Sequence, residues 1–527
     1  MRRRQAKKLS QVSNRGVKQF MVKNILIGGE AGSGSAVTSH LIGKIFCSLG
    51  YYVFNYRDYP SLIRGGHNFN VLKISDKPVY SHNEKYDVIL ALDKKTVDLH
   101  KADLINGGLV IEASQFEQVL EKLSGPKILE NDIMIGYLFK TFGVDAEVLL
   151  ETIERQFGKN AETIKKAVEE GYGMGEKKEN LVKVGPPRYF ISGNEGISIG
   201  SLAAGLDIHL AYPMTPASPV LHFLAKRQLE NDILVFQPEN EIAVINMALG
   251  SSFAGAITMV GTSGGGFALM TEAISLAGMA ELPIVIYLAQ RTAPSTGVPT
   301  YTAQGDLKFA LNAGHGEFAR IVVAPGDPQE AIVRTQEAFY LTCKYRTPVI
   351  VLGDKHLGES SYTFDELEKS NLTASSYPVK RASSYEHNKD GHTVEDVAST
   401  AESQERRMKK AEPLGKEINK LNPIALYGKG ENLIVSHGST KGAIIDALPE
   451  LSGFRFLQIS YLSPFPKEKV AEEIKKARRV VLVENSVTGA LADVIAEHTG
   501  IIIKDKVLKY DARPFTPEFL IKKIKQL

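Results

Sequence analysis

Tyr212-Pro213-Met214-Thr215-Pro216-Ala217-Ser218-Pro219 opens the stretch that sets the fold, which runs on to Asp306. Three prolines in eight residues fix their own φ and push the residues before them toward extended geometry, so Thr215 is presented on a stiff, non-helical loop. The loop follows an apolar run at 208–212. Gln237-Pro238-Glu239-Asn240-Glu241 comes next, then an alanine-rich helical pattern, then a short buried strand at 256–260. That strand empties into Gly261-Thr262-Ser263-Gly264-Gly265-Gly266, a glycine-rich turn before a second helical pattern at 267–281. Strand, glycine turn and helix in this order aim backbone N–H groups at a point where an anion can sit. Farther along, strands are predicted at 283–289, 321–323 and 348–352 with a helix at 328–343, an alternation that implies a mainly parallel sheet.

The remaining chain reads as two more α/β units. On the N-terminal side a strand at 22–28, the turn Gly28-Gly29-Glu30-Ala31-Gly32-Ser33-Gly34 and a helix at 36–49 open a doubly wound unit that extends to residue 175. The glycines are loosely spaced for a dinucleotide fingerprint and no acidic residue closes the second strand, 51–56, which argues against a bound NAD. Tyr59-Pro60-Ser61 to Arg64-Gly65-Gly66-His67-Asn68 reads as a polar loop, followed by strands at 86–92 and 108–112 and a helix at 131–142. A Lys- and Gly-rich linker covers 176–187 and the unit carrying the proline loop covers 188–358. A polar arm occupies 359–422, long enough to be either functional or a wrapping segment. Three strands at 431–436, 455–459 and 480–483 make a C-terminal α/β unit over 423–527.

Composition narrows the function classes. At 527 residues the chain exceeds one core, and 43% hydrophobic with 23% charged residues is ordinary for a globular protein. The net charge of +3 is misleading, because residues 1–21 form a basic extension with seven Lys or Arg and no acid. Without them the chain has 56 basic against 60 acidic residues, net −4, which argues against a nucleic-acid-binding body. The extension lacks the apolar stretch of a secretory signal and reads as disordered, with an Arg-rich, acid-free organelle transit peptide as the alternative, and no run is long enough for a membrane span. Cys47 and Cys343 provide neither a disulfide framework nor a CxxC, so a reducing cytoplasm is expected and the chain cannot ligate an iron-sulfur cluster by itself.

Several side chains stand out. Glu239 and Glu241 sit at a helix start, where the macrodipole alone favours them, and Glu195 is a third candidate carboxylate. Thr215 is either a presented hydroxyl or the cap of the helix that follows it. Arg291 ends a strand at the carboxyl edge of a parallel sheet, where ligands gather and a guanidinium suits bidentate capture of a carboxylate; a surface ion pair is the plainer role. No His/Asp partner marks Ser263 as a nucleophile. His356, His387 and His392 are too dispersed for a metal site, and none is expected.

Tyr212 to Pro219, Gly261 to Met270, Gly278-Met279-Ala280-Glu281-Leu282-Pro283 and Gln290-Arg291-Thr292-Ala293-Pro294-Ser295-Thr296-Gly297 resemble the alpha subunit of 2-oxoacid:ferredoxin oxidoreductases. Gly28 to Gly34, Arg64 to Asn68 and the helix from Asn131 resemble the gamma domain of the same enzymes, fused ahead of the alpha part. The segments from Glu484 to Gly489 and Lys509 to Phe515 resemble the family's C-terminal domain. The resemblance implies three α/β domains, namely gamma-like, pyrimidine-binding-like and transketolase C-terminal-like. It places the cofactor-activating glutamate at Glu241, with Glu239 and Glu195 as rivals. It puts Thr215 and Arg291 on the substrate, and Tyr212, Pro213, Thr262, Ser263 and Gly264 around the cofactor. Met214, Ala217 and Gly265 depart from the family's usual residues, which bears on substrate range.

The implied activity is oxidative decarboxylation of a 2-oxo acid, 2-oxoglutarate or a broad range, with coenzyme A as co-substrate and ferredoxin as electron acceptor. No GDG motif occurs in the chain. The thiamine diphosphate and its Mg²⁺ are therefore expected to be shared with a beta subunit that also carries the iron-sulfur cluster, in a heterodimer or a dimer of heterodimers. A non-catalytic α/β scaffold and a nucleotide-binding dehydrogenase are the alternatives.

Overall fold

The computed structural model describes residues 21–60, 66–375 and 383–527. The expected basic extension and Arg64 with Gly65 lie outside the described residues. Strands β1 (Val22–Glu30), β2 (Tyr52–Asp58), β3 (His67–Ser75), β4 (Tyr86–Ala91), β5 (Leu104–Glu112) and β6 (Tyr189–Ser192) belong to the first sheet. Helices α1 (Ser35–Ser48) and α2 (Leu129–Thr141) bury Ile42, Phe46, Ile133 and Phe139 against Ile25 and Ile27. Only β5, β4 and β1 are parallel; β3 runs antiparallel to both β1 and β2. The mainly parallel sheet expected here is thus mixed. The connection from β2 to β3 is too short for a crossover, which needs a dozen or more residues, so the pair must be antiparallel. The polar loop expected through Asn68 gives way to strand at His67.

The second sheet follows the mainly parallel expectation. After β6, helix α3 (Gly193–Ala203) leads to β7 (Ile208–Leu210), helix α4 (Ser218–Ala225) and β8 (Leu234–Phe236). Helix α5 (Glu241–Phe253), β9 (Thr258–Thr262), helix α6 (Gly264–Ala280) and β10 (Ile284–Gln290) follow. Then come β11 (Ile321–Val323), helix α7 (Pro328–Tyr345), β12 (Pro348–Asp354) and β13 (Ser361–Phe364). The spatial order β11-β12-β10-β9-β7-β8 is parallel throughout. Strand order reverses between β7 and β9, which creates a crevice at their carboxyl ends. Strand β13 leaves this sheet and pairs antiparallel with β2 and β6, so the first sheet is completed by segments from later in the chain.

The polar arm is structured rather than extended. Helices α8 (Val397–Lys409) and α9 (Ala411–Lys420) wrap back over the second sheet, burying Leu414 and Ile418 beside Phe339 and Leu341. Arg406 and Lys410 ion-pair with the buried Glu281 at the end of α6. The third sheet comprises β14 (Ile424–Gly428), β15 (Asn432–Ser436), β16 (Phe454–Ile459), β18 (Arg479–Glu484) and β19 (Asp505–Leu508), the intervening β17 (Tyr461–Ser463) crossing over to pair with β11. Val435, Leu457 and Leu482 of this sheet share one core with Ile284, Ile286 and Ile350 of the second.

One short helix, α10 (Lys441–Ala447), ties the three sheets together. Its Lys441 ion-pairs with Asp327 at 2.5 Å and Glu330 at 2.5 Å, at the start of α7. Five residues away along the chain, Asp446 accepts from Lys73 of β3 at 3.1 Å, from the Tyr80 and Ser81 backbone N–H groups and from the Ser81 hydroxyl. Asp446→Ala leaves the Lys73 ammonium and two backbone donors buried without an acceptor, so a stability loss of about 3 kcal/mol is expected. Chemical unfolding read by far-UV circular dichroism checks it.

Candidate functional site

The carboxyl ends of β7, β8, β9 and β10 deliver the proline loop, Glu241, Ser263 and Arg291 to one crevice. Each side chain is placed by its own local device. Thr215 precedes Pro216 through a cis bond, and the Pro216 carbonyl accepts from Asn194 Nδ2 at 3.0 Å. Asn194 is buried at the start of α3, and its Oδ1 accepts from the Tyr287 hydroxyl at 2.8 Å. The proline loop is thus fastened from beneath by β10. Thr215 does not cap α4; Ala217 holds that position without a side-chain hydrogen bond.

The three candidate carboxylates separate cleanly. Glu195 Oε2 accepts from the Ser192 backbone N–H at 2.8 Å in a capping box, which commits it to the start of α3. Glu239 is exposed. Glu241, at the first position of α5, is 4% exposed, and its Oε1 is buried with no hydrogen-bond partner. Asn240 caps the helix instead, accepting from Ala243 N–H at 2.9 Å, so Glu241 is not needed for that task.

The glycine run corrects one expectation. Gly264, Gly265 and Gly266 form the first turn of α6 rather than a loop before it. Their backbone is covered by the chain's own acids: a Cβ on Gly266 would lie 2.6 Å from Glu241 Oε1, and one on Gly264 would lie 2.6 Å from Asp306 Oδ2. Asp306 Oδ2 and Ser263 Oγ are, like Glu241 Oε1, buried without partners. Three unpaired polar atoms therefore converge on one helix N-terminus, a costly arrangement unless a ligand completes it.

Arg291 joins the same crevice. Its Nη1 donates to the Thr215 carbonyl at 2.8 Å, so two of the expected site residues are in contact. Burial pushes its guanidinium below the ordinary arginine value while Asp306 nearby holds it up. Thr262 is fully buried beneath the turn, and Tyr212 and Pro213 are exposed at the rim. Asn194, Tyr287, Gln290 and Asp306 escaped the sequence analysis. Of these, Gln290, first in the motif that runs to Gly297, and Asp306, the acid ending the decisive stretch, carried a signal.

Residues 24–174 match the family described as pyruvate ferredoxin/flavodoxin oxidoreductase, and residues 199–420 match the thiamine diphosphate-binding part of pyruvate flavodoxin/ferredoxin oxidoreductase. A Sulfolobus protein named 2-oxoacid:ferredoxin oxidoreductase subunit alpha is 32% identical across 95% of this chain and 96% of its own length. The chain belongs to the 2-oxoacid:ferredoxin oxidoreductase alpha subunits. The match over residues 24–174 precedes the thiamine diphosphate-binding match over residues 199–420. Archaeoglobus fulgidus 2-oxoglutarate synthase subunit KorA is 31% identical over 56% of the chain and 87% of its own length. The structure of 2-oxoglutarate:ferredoxin oxidoreductase from Magnetococcus marinus, with 2-oxoglutarate, coenzyme A and succinyl-CoA bound, superposes with a TM-score of 0.86 at 24% identity. That match covers 96% of this alpha subunit and 99% of the other chain, so the whole fold is shared.

The glycine turn of the first unit borders a separate cleft of about 490 Å³ lined by Glu30, Asp93, Glu130 and Lys127. Three carboxylates against one ammonium make it a poor cradle for a dinucleotide's diphosphate. Among the described residues no group of three or more His, Cys, Asp or Glu is arranged to hold a metal ion, and no helix is long and apolar enough to cross a membrane.

The glycines of α6 provide a sharp test of the crevice. Gly266→Ala drives a methyl group into the Thr262 hydroxyl and the Glu241 carboxyl, whereas Gly265 has nothing within 4 Å of its Cβ position. A displacement near 1 Å in a working active site costs about a hundredfold, so, with this crevice as that site, the assembled enzyme carrying Gly266→Ala is expected to lose activity on that scale while Gly265→Ala is silent. Steady-state reduction of ferredoxin measures both.

Proposed function

We propose that this alpha subunit builds the aminopyrimidine side of a thiamine diphosphate site and, joined to a beta subunit, catalyses coenzyme A-dependent oxidative decarboxylation of a 2-oxo acid with transfer of electrons to ferredoxin. The buried, unpartnered Glu241 Oε1 carries this reading. A buried carboxyl oxygen without a protein partner is suited to a hydrogen bond with a ring nitrogen of a ligand. When bound, the cofactor supplies the nucleophilic carbon and the electron sink for breaking the carbon–carbon bond.

The chain's own residues do the rest by placement. Tyr212 and Pro213 at the rim and Thr262, Ser263 and Gly264 below it would enclose the pyrimidine ring. Arg291 spends one N–H on the Thr215 carbonyl, which leaves guanidinium donors for the substrate carboxylate. The Thr215 hydroxyl, on the loop fastened by Asn194, would donate to the same substrate. The α6 N-terminus, a ready place for a diphosphate, is filled by Glu241 and Asp306, so the diphosphate and Mg²⁺ would fall to the partner.

A surface for that partner adjoins the crevice. Ile242, Met247 and Phe253 on α5 and Leu269 on α6 are exposed, as are Leu234 and Phe236 on the open edge strand β8. An apolar patch beside an incomplete site marks an interface. We assign this face to the beta subunit, which would also hold the iron-sulfur cluster, as a heterodimer or a dimer of heterodimers. The free, buried thiols of Cys47 and Cys343 fit a reducing cytoplasm. The relatives and the fused arrangement favour 2-oxoglutarate or a broad range of 2-oxo acids as substrate.

Glu241→Ala is expected to lower 2-oxo-acid-dependent ferredoxin reduction by about a thousandfold, the scale of proton-transfer catalysis, with assembly of the complex intact by gel filtration. Unchanged turnover would remove Glu241 from this role. Met247→Lys together with Leu269→Lys is expected to abolish co-purification of the two subunits while leaving the alpha chain folded.

A further inference from the structure

Arg291 directly follows β10, and the chain beyond it folds back on itself before reaching Asp306. The Thr292 backbone N–H donates to the Tyr301 carbonyl at 3.1 Å, and the Thr292 hydroxyl donates to the Thr302 carbonyl at 3.1 Å. The backbone that carries the Arg291 guanidinium is therefore pinned, at the very next residue, to Tyr301 and Thr302. Tyr301 is in turn held by the two outer units. Its hydroxyl donates to Oδ1 of Asp58, the last residue of β2, at 3.2 Å. The Arg513 guanidinium lies over its ring, 3.7 Å from the centroid, in a cation–π contact. Arg513 Nε reaches Asp58 Oδ2 at 2.9 Å and the Tyr56 hydroxyl donates to the same oxygen at 2.8 Å, so one carboxylate joins the first unit to the third across the tyrosine. The Arg513 carbonyl accepts from Asn485 Nδ2 at 3.1 Å, and Asn485 exchanges two hydrogen bonds with Gln304, three residues after Tyr301. Tyr301 and Asp58 are buried, whereas the Arg513 side chain is 42% exposed. Docking of the three sheets does not depend on this cluster, because β13, β17 and the ion pairs of Lys441 and Asp446 already join them. What the cluster fixes is the place of Tyr301.

We propose that Tyr301, clamped between Asp58 and Arg513, is a positioning residue for Arg291: it fixes the backbone from which the guanidinium reaches the 2-oxo acid carboxylate. Bidentate capture needs the planar fork presented in one direction, and a long side chain inherits that direction from the backbone that carries it. The first and third units thereby each lend one charged side chain to substrate capture in the second without touching the substrate. The inference rests on Arg291 as the anchor for the 2-oxo acid carboxylate, and it concerns ground-state capture rather than the bond-breaking step.

The test uses the assembled alpha–beta enzyme with thiamine diphosphate, coenzyme A and ferredoxin, with 2-oxoglutarate and pyruvate as substrates. Arg513→Gln removes the stacked guanidinium and leaves Asp58 with both tyrosine hydroxyls, whereas Tyr301→Phe removes one hydroxyl and keeps the stacked ring. A misplacement near 1 Å in a working site costs about a hundredfold, and slackening one side of the clamp moves Arg291 by less. The KM for the 2-oxo acid is therefore expected to rise about tenfold in Arg513→Gln and about threefold in Tyr301→Phe, with kcat and the KM for coenzyme A within about twofold of the parent. Asp446→Ala, which loosens the docking of the sheets elsewhere, is expected to keep the parental KM, a separation that a merely structural role of the clamp would not produce. Arg291→Lys is expected to raise the same KM, and its combination with Arg513→Gln is expected to raise it by less than the product of the two, because residues acting as one unit do not add. Should Arg513→Gln fail to assemble, Tyr301→Phe, which changes a single oxygen, decides. With Arg291→Lys effective, either clamp variant at parental KM overturns the role of Tyr301. Arg291→Lys at parental KM overturns the anchor on which it rests. A fall in kcat at unchanged KM in the clamp variants, an equal KM rise in Asp446→Ala, or fully multiplicative losses in the double variant also overturns the positioning role.

Discussion

Burying a carboxyl oxygen without a donor is expensive, and the organisation of this alpha subunit turns on doing so at Glu241. The cost is borne because no side chain at Gly266 competes for the space and because Asn240 takes over the capping of α5. Helix α6 contributes the positive end of its dipole to the same spot, which eases the presence of acids there. A site that is polar, buried and unsatisfied within one chain is suited to a ligand that completes it. Exposed apolar side chains on α5, α6 and β8 adjoin it.

The crevice keeps its shape because the three sheets are interlocked rather than strung in series. Strand β13 completes the first sheet from beyond the second, and β17 extends the second from within the third. Helix α10 sets one lysine against α7 and one aspartate against β3 and the residues after it. Gln304 exchanges hydrogen bonds with Asn485 at 2.7 and 2.9 Å, so the carboxyl edges of the second and third sheets are held together directly.

Much of this was legible in the chain. Apolar runs marked most strands of the second and third sheets, because parallel strands buried on both faces read as continuous hydrophobic stretches. The proline loop and Arg291 announced themselves by residue type, and the structure brings them into contact. Strand β3 was hidden because His67, Asn68, Asn70 and Lys73 give it the composition of a loop; its burial comes from β1 and β2 on either side. The glycine run was misread as a turn because glycine disfavours helix, yet here the absent side chains admit two carboxyls. Pairings such as Lys73 with Asp446 join distant parts of the chain and leave no local trace.

Strand β8 ends the second sheet with its outer backbone groups open and with Leu234 and Phe236 facing outward. An open apolar edge can recruit any extended segment that meets it first. Covering that edge early would therefore protect this chain during biogenesis, since an alpha subunit made in excess would offer it as a nucleus for self-association.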